Sequence, residues 1–256
     1  MIAYAETVGT YLTPNGNPAT FIVRDGTSDH NTVYSACNED EYGFRGLSFA
    51  GVAFDIGAHI GAVAVGLAID NPELTVVAVE PVADNCRLIR ANAEANGVGG
   101  RVVIMEAAAG APGMTETRVH FGFRGSEIAT HHAFIGATDI GNPRMVDNWR
   151  VASDHDIATV DAVSYDQLSR WYGIPSLVKI DCEGAEFAFL SDPAIAAVPL
   201  IVGEWHNVPY RDGSASQADL LALLPHHRVT FDHREWDEAG ERRNNDAGPQ
   251  GFRAVL

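Results

Sequence analysis

Most of the chemistry this chain offers sits on Asp55, Glu80, Asp181, Glu183, Glu204 and His206. Asp55 closes the apolar run Val52-Ala53-Phe54 and is followed by Ile56-Gly57-Ala58-His59-Ile60-Gly61. A strand ending in an acid, a glycine turn and then a helix make the ligand crevice of an open α/β sheet. The glycines let backbone come close to a ligand, and the helix start beyond them offers unpaired N–H groups. The spacing is Gly-x-x-x-Gly, not the Gly-x-Gly-x-x-Gly that brings backbone up to a pyrophosphate. A carboxylate ahead of the first glycine would repel a pyrophosphate and attract an ammonium. The charge pattern therefore favours S-adenosylmethionine, with its methionine-like end, over NAD. Glu80, in Val79-Glu80-Pro81, follows Asp55 by 25 positions. An acid there is placed to accept hydrogen bonds from both ribose hydroxyls.

Asp181, Glu183, Glu204 and His206 lie at the ends of two later apolar runs, Ser176–Ile180 and Pro199–Glu204. An alcohol that takes a methyl group must lose its proton, so a base within ~3 Å helps. His206 suits that task because an imidazole titrates near neutrality. Asp181 suits it if burial raises its pKa, and Glu183 is the third candidate catalytic residue. Glu183 and Glu186 equally suit the start of a helix opened by Gly184, where acids are stabilising. Asp181, Glu183, Glu204 and His206 could also offer oxygens and one imidazole to Mg2+. No local spacing forces such a site, so no metal ligand is assigned; Mg2+ is possible but not favoured. Lys179 is expected to pair with an acid beside the sheet.

The elements that must position these groups follow from hydrophobic pattern. Gly51–Ile56, Thr75–Val79 and Arg101–Met105 are short apolar runs, as strands buried on both faces require. Ala62–Ile69 is apolar all round and reads as a helix packed on the sheet. Val82, Cys86, Ile89 and Ala93 mark an amphipathic helix, with Asn96-Gly97 ending it as a C-cap. This β-α-β-α-β order predicts a parallel sheet with helices on its faces. Later elements are a strand over 176–180, a helix over 184–190, a strand over 199–204, a short helix from 216, and strands near 229–231 and 252–256. Glu235–Gln250 is polar and predicted to loop out. Residues 1–50 read as an extension of strands and turns, with a hairpin about Asn15-Gly16. The remainder, 51–256, is one domain with an irregular insertion near 111–160, expected to act as a substrate-side lid. His131, His132 and His155 fall in that insertion and read as solvated loop residues.

Composition narrows the partners. The chain carries 17 Lys and Arg against 34 Asp and Glu, a formal charge of −17. A duplex binder needs cations to neutralise phosphates, so nucleic acids and anionic membranes are not expected partners. No stretch of ~18 apolar residues could span a bilayer, and the start does not read as a signal peptide. Cys37, Cys86 and Cys182 are widely spaced, which suggests neither a disulfide framework nor a zinc site and fits a cytoplasmic location. Oligomeric state and acceptor identity are not legible. Two rival readings are a nicotinamide oxidoreductase, which lacks its glycine turn, and a cofactor-binding module without turnover.

Asp-Ile-Gly-Ala-His-Ile-Gly (55–61), Val-Glu-Pro-Val-Ala-Asp-Asn (79–85) and Val-Lys-Ile-Asp-Cys-Glu-Gly-Ala-Glu (178–186), in that order, resemble the FkbM family of methyltransferases. Arg24-Asp25-Gly26-Thr27-Ser28-Asp29 and Gly203-Glu204-Trp205-His206 extend the resemblance to roughly residues 20–210. It implies an α/β fold, the class I methyltransferase Rossmann-like sheet of seven strands with the last antiparallel. It also implies S-adenosylmethionine as cofactor, S-adenosylhomocysteine as product, and O-methylation of a small-molecule acceptor such as a natural product or sugar moiety. Asp55, Gly57, Ala58, His59 and Gly61 would then surround the methionine part, with Asp181 beside it. Glu80 and Pro81 would hold the ribose, and Glu106, Ala107 and Ala108 would lie along the adenine. Asn85 would fix the loop. His59 stands where the family usually has Asn.

Overall fold

The computed structural model describes residues 5–123, 132–135, 150–151, 157–206, 209–210, 213–214, 217–232, 235–236, 242–243 and 250–256. Glu6–Leu12 (β1) and Pro18–Arg24 (β2) form the expected antiparallel hairpin. Asp29–Cys37 (α1) follows, then Gly51–Ile56 (β3), Ala62–Asp70 (α2), Leu74–Val79 (β4), Ala83–Ala95 (α3) and Val102–Met105 (β5). The insertion contributes Ala108–Ala109 (β6), Glu116–Phe123 (β7), His132–Ile135 (β8), Arg150–Val151 (β9) and Ile157–Val163 (β10). Tyr165–Tyr172 (α4), Leu177–Ile180 (β11), Glu186–Leu190 (α5) and Leu200–Trp205 (β12) come next. The two-residue strands Pro209–Tyr210 (β13) and Gly213–Ser214 (β14) precede Gln217–Leu223 (α6) and Arg228–Asp232 (β15). Glu235–Trp236 (β16), Arg242–Arg243 (β17) and Gln250–Val255 (β18) end the chain.

A seven-stranded sheet runs in the order β15-β18-β12-β11-β3-β4-β5. β12, β11, β3, β4 and β5 are mutually parallel. β18, the last strand in sequence, is antiparallel to both β12 and β15 and sits between them. This is the class I methyltransferase sheet. Its strands are near-continuous apolar runs because helices cover both faces. Side chains alternate along each strand. Ala53, Val76, Ala78, Leu177 and Val202 face one core with α1, α2, α3 and the hairpin. Phe54, Ile56, Val77, Val178, Ile180 and Ile201 face the other, with Leu168, Phe189 and Leu220 of α4, α5 and α6. α2 is apolar all round because every residue from Ala62 to Ala68 is buried.

The N-terminal extension shares the first core. Tyr11, Phe21, Val33 and Phe44 are buried in it. Side chains of α3 anchor β2: the Ile22 amide donates to Asn92 Oδ1 at 2.7 Å and the Thr20 amide to Asn96 Oδ1 at 2.8 Å.

Several elements depart from the sequence reading. Residues 1–50 contain a helix, α1, besides strands and turns; its Asn, Thr, Val, Tyr, Ser and Cys are weak helix formers, so burial of Val33, Ala36 and Cys37 decides it. α4 also went unread, although Ser164 and Gln167 form a reciprocal capping box at its start. Within the insertion, β7 pairs with β8, β9 and β10, so its described residues are sheet rather than irregular chain. The polar stretch 235–250 holds a short ribbon, β16 paired with β17. His131 and His155 lie outside the described residues, and His132 opens β8. Among the described residues, no helix is long and apolar enough to cross a membrane.

Candidate active site

Chain order reverses at one place in the sheet. From β3 the sequence proceeds outward through β4 and β5, whereas β11 and β12 lie on β3's other side. Ligands bind at such a switch point, beyond the carboxyl ends of the strands. Asp55 lies near the end of β3 and Gly57 just past it, Glu80 follows β4, and Glu106 and Ala107 follow β5. Asp181 follows β11, and Glu204 and His206 lie at the end of β12. Asp55, Gly57, Glu80, Glu106, Asp181, Glu204 and His206 thus fall along the carboxyl ends of these strands.

The turn after β3 is held by backbone. The amides of Gly57 and Ala58 both donate to Val79 O, at 2.9 and 3.1 Å. Gly57 and Gly61 have φ of 76° and 87°, and His59 shares that left-handed region at 50°. Gly57 is required for a second reason: a Cβ there would fall 1.8 Å from the Asp181 carbonyl oxygen. The two switch-point strands therefore touch backbone to backbone.

Glu80 is buried and organises this turn. Its Oε2 accepts from the His59 amide at 2.9 Å. Oε1 accepts from the Val82 amide at 3.0 Å and Asn85 Nδ2 at 3.1 Å. A carboxylate has about four acceptor sites, so roughly one is left for a ligand. Burial pushes Glu80 up to about 7, against the opposing pull of the Val82 amide, Asn85, the His59 amide and Lys179. Asn85 in turn accepts from Arg24 Nη2 at 2.7 Å. Arg24 pairs at 2.8 Å with buried Asp29, whose Oδ1 lies 3.4 Å from His59 Nε2. Arg24 and Asp29 thus brace the glycine turn from the N-terminal extension. The sequence reading quoted both without assigning them a role.

Asp55 is wholly buried and lies 3.3 Å from Lys179 Nζ, which also donates to Gly57 O at 2.8 Å. Burial opposes both charges. It prevails at Asp55, whose pKa is raised despite Lys179. At Lys179 the carboxylates of Asp55 and Asp181 outweigh it and the proton is held more tightly. The ring of Tyr42, from the loop after α1, lies over Lys179 Nζ at 5.4 Å, and its hydroxyl donates to Asp181 Oδ2 at 2.8 Å. Tyr42 was also missed. Its partner is 139 positions away, so no local pattern could mark it.

Asp181, Glu183, Glu186, Glu204 and His206 form one cluster. A tight turn, with Glu183 at φ 55° and Gly184 at 102°, brings Glu183 back over the strand ends. Buried Glu186 accepts from the amides of Cys182 and Gly184, both at 2.9 Å, and meets His206 Nδ1 at 2.9 Å. His206 Nε2 faces Glu183 at 3.3 Å, Glu204 at 3.8 Å and Asp181 at 4.0 Å. Burial works against charge on His206, but Glu186 and Glu183 overcome it and raise its pKa well above the ordinary imidazole range. The sequence took this imidazole at its ordinary range; the carboxylates folded against it shift it upward. Burial, with Asp181 beside it, pushes Glu204 up to about 8, against the pull of His206. Glu106 is exposed and Ala107 buried at the end of β5; Pro81 is half-buried.

A family model described as the methyltransferase FkbM domain matches residues 55–242, well over half of the chain. The chain belongs to the FkbM methyltransferase family. It is an S-adenosylmethionine-dependent methyltransferase. The FkbM match spans the clusters described above except Arg24, Asp29 and Tyr42, which lie upstream of it. Comparison with curated proteins gives no match. Among solved structures, the FkbM chain is similar to a precorrin-6Y C5,15-methyltransferase from Geobacter metallireducens GS-15, at 13% identity and TM-score 0.39 over 82% of each chain. It is also similar to an O-methyltransferase from Bacillus cereus in complex with SAH, at 14% identity and TM-score 0.40 over 81% of this chain and 74% of that one. EvdMO1 gives 14% identity and TM-score 0.44 over 91% of this chain and 42% of that one. At TM-scores below 0.5 these likenesses add nothing to the strand order already described.

Proposed function

We propose that this methyltransferase acts on a hydroxyl of a small-molecule acceptor, a natural product or sugar moiety, with Asp181 taking the hydroxyl proton. The observation that carries this reading is the place of Asp181. It stands at the switch point, its backbone against Gly57 and its carboxylate oriented by Tyr42.

The residues present fit S-adenosylmethionine. Gly57, Ala58, His59 and Gly61 make a side-chain-poor turn for the methionine part. Glu80 keeps acceptor capacity for the ribose beside Pro81, and Glu106 and Ala107 border the adenine position after β5. Asp55 acts from behind the turn, its charge balanced by Lys179. Bound there, the cofactor supplies a sulfonium methyl so electrophilic that positioning does much of the catalysis. With the cofactor held there, Asp181 would accept the acceptor's O–H proton as the oxygen took the methyl group, the sulfur keeping the electron pair of the bond it gives up. His206, held between Glu186 and Glu183, stands among the carboxylates around Asp181, and those carboxylates favour its charged form.

A second reading has one observation in its favour. Asp181, Glu204 and His206 each offer a ligand atom, all within 4.8 Å of one another, and a divalent cation such as Mg2+ could draw them together. The acidic chain argues against nucleic acid as acceptor, and three free thiols, two of them buried, suit a cytoplasmic enzyme.

Calorimetric titration of S-adenosylmethionine and S-adenosylhomocysteine, with and without Mg2+, followed by methyl transfer to hydroxyl, amine and carboxylate acceptors, tests all of this. One-to-one cofactor binding and transfer to hydroxyls are expected. Turnover confined to amines or carboxylates would overturn the O-methylation reading; binding without any transfer would leave a cofactor-binding module. Abolition of turnover by a chelator would favour the second reading. The same titration carries a pH prediction. Ionised Glu80 accepts hydrogen bonds that the protonated form partly loses, so cofactor affinity should rise with pH through about 7. The expected gain is roughly tenfold, the equivalent of one charge-assisted hydrogen bond. A flat profile from pH 6 to 8 in a folded sample would remove Glu80 from the ribose.

A further inference from the structure

Among the described residues, the side chain of Glu80 accepts hydrogen bonds from three donors. The Val82 amide and Asn85 Nδ2 fill two places on Oε1, and the His59 amide fills one on Oε2. One of the three is a donor only because of Arg24. An Asn side chain can face a carboxyl group with either its NH2 or its oxygen. At Asn85 the choice is made: Oδ1 accepts from Arg24 Nη2 at 2.7 Å, and a guanidinium carries donors and no acceptor. The oxygen must face Arg24, so the NH2 must face Glu80. Arg24 is fixed in turn. Its Nε and Nη2 meet the two oxygens of Asp29 at 2.8 and 3.0 Å, its amide donates to Asp29 Oδ2 at 2.9 Å, and Nη1 reaches Asp84 Oδ2 at 3.1 Å. Burial opposes a charge on Asp29, but the Arg24 bonds prevail and hold its pKa below the ordinary carboxylate value. We propose that Arg24 is a positioning residue for the cofactor: clamped by Asp29, it fixes the Asn85 amide so that Glu80 stays a hydrogen-bond acceptor, with the second place on Oε2 taking one ribose hydroxyl. The proposal rests on the ribose assignment of Glu80 above. It adds a residue upstream of the matched family domain that acts through two others.

The relay matters because Glu80 is finely balanced. A ribose hydroxyl can donate or accept, and an ionised carboxylate only accepts. Burial pushes Glu80 up to about 7, so near neutrality each donor counts. The groups facing it come from three elements. Val82 and Asn85 lie at the start of α3, His59 lies in the glycine turn, and Lys179 of β11 is the cation that favours its charge. Cys86 Sγ donates to the Glu80 backbone oxygen at 3.1 Å, and burial pushes that thiol up to about 12, so it stays neutral. The His59 imidazole sits beside Asp29 at 3.4 Å. Removing the Asn85 donor favours protonated Glu80 and moves its titration upward. The cofactor would then bind fully only at higher pH.

Calorimetric titration of S-adenosylhomocysteine from about pH 6 to about pH 9 tests this in wild type, Arg24→Lys and Asn85→Asp. Lysine keeps a charge beside Asp29 but loses the fork that spans Asp29 and Asn85, so the amide is released. At neutral pH the affinity of Arg24→Lys should fall by about tenfold. Its rise with pH should move up by about one pH unit, returning to within about twofold of wild type at the alkaline end. Asn85→Asp keeps the Arg24 contact and presents Glu80 with a second carboxylate, so its shift should be larger; it carries the test if Arg24→Lys does not fold. Wild-type affinity and pH dependence in either variant would overturn the role of Arg24. Equal weakening at every pH would show bracing alone and overturn it as well. His59→Asn removes the imidazole and suits the left-handed φ of 50°. The pH dependence should persist there, and its disappearance would assign the titration to His59 and sink the proposal. Glu80→Gln separates the two readings. If it binds like wild type across the range, Glu80 leaves the ribose and both fall; if it binds weakly while Arg24→Lys is unchanged, only the role of Arg24 falls.

Discussion

Replacing Gly57 with alanine should destabilise the protein by roughly 4 kcal/mol or more, at the extreme of single-substitution effects, and abolish binding of S-adenosylhomocysteine. Two causes add. At φ 76° an L-residue is strained, which alone costs about 1–2 kcal/mol. The larger cause is steric. The new Cβ would lie 1.8 Å from the Asp181 carbonyl oxygen and 2.8 Å from its carbon. Neither backbone can step aside cheaply. The Gly57 amide donates to Val79 O, Lys179 Nζ donates to Gly57 O, and the Asp181 amide donates to Ile56 O. Relief therefore means parting β3 from β11 at the switch point, where the cofactor turn and Asp181 meet. Gly97→Ala is the control. It has a similar φ of 68° with nothing within 4 Å, so only the strain, about 1 kcal/mol, should appear. Denaturant midpoints of the two variants measure the contrast, and equal midpoints would show that the close approach is absent in solution.

Asp181→Asn should lower kcat by about 10²–10⁴-fold, the usual contribution of a positioned base, and leave cofactor affinity and unfolding midpoint nearly unchanged. The amide keeps the shape and still gives the Tyr42 hydroxyl an oxygen to donate to, so loss of turnover would report lost basicity. His206→Ala is a less clean probe. It strips buried Glu186 of its imidazole partner, leaving that carboxylate with only the Cys182 and Gly184 amides. An unpaired buried charge costs several kcal/mol, so turnover and stability would fall together. If Asp181→Asn keeps wild-type turnover, the proton goes elsewhere, and Glu204, in the same cluster, becomes the candidate base.

How much of this was legible beforehand depends on the range of the interaction. The central strands and the helices α2 and α3 could be read from the chain because burial on both faces demands apolar runs, and an amphipathic helix repeats every three to four residues. That the glycine turn, Glu80, Asp181 and His206 would lie at the strand ends was legible, because a residue closing an apolar run sits at the end of the strand that run makes. Asn85 could be assigned to the loop, and it does bond Glu80. Short elements with indifferent local preference were not readable. α1 forms because Val33, Ala36 and Cys37 find a core made by residues far along the chain.

The protonation of the site was likewise decided in three dimensions. A histidine in sequence has an ordinary imidazole pKa; that of His206 is raised, against the effect of burial, because Glu186 and Glu183 are folded against it. Asp55 could be read as an acid facing a ligand, yet its burial against Lys179 depends on β11 lying beside β3. Tyr42 brings a loop near the start of the chain to Asp181, 139 positions away. The sequence by itself determined the sheet, the glycine turn and the family, since these rest on local periodicity and ordered motifs. The tertiary structure alone decided which carboxylates lie close enough to shift one another and which side chain bonds Asp181, because electrostatics depends on distances in space rather than on spacing along the chain.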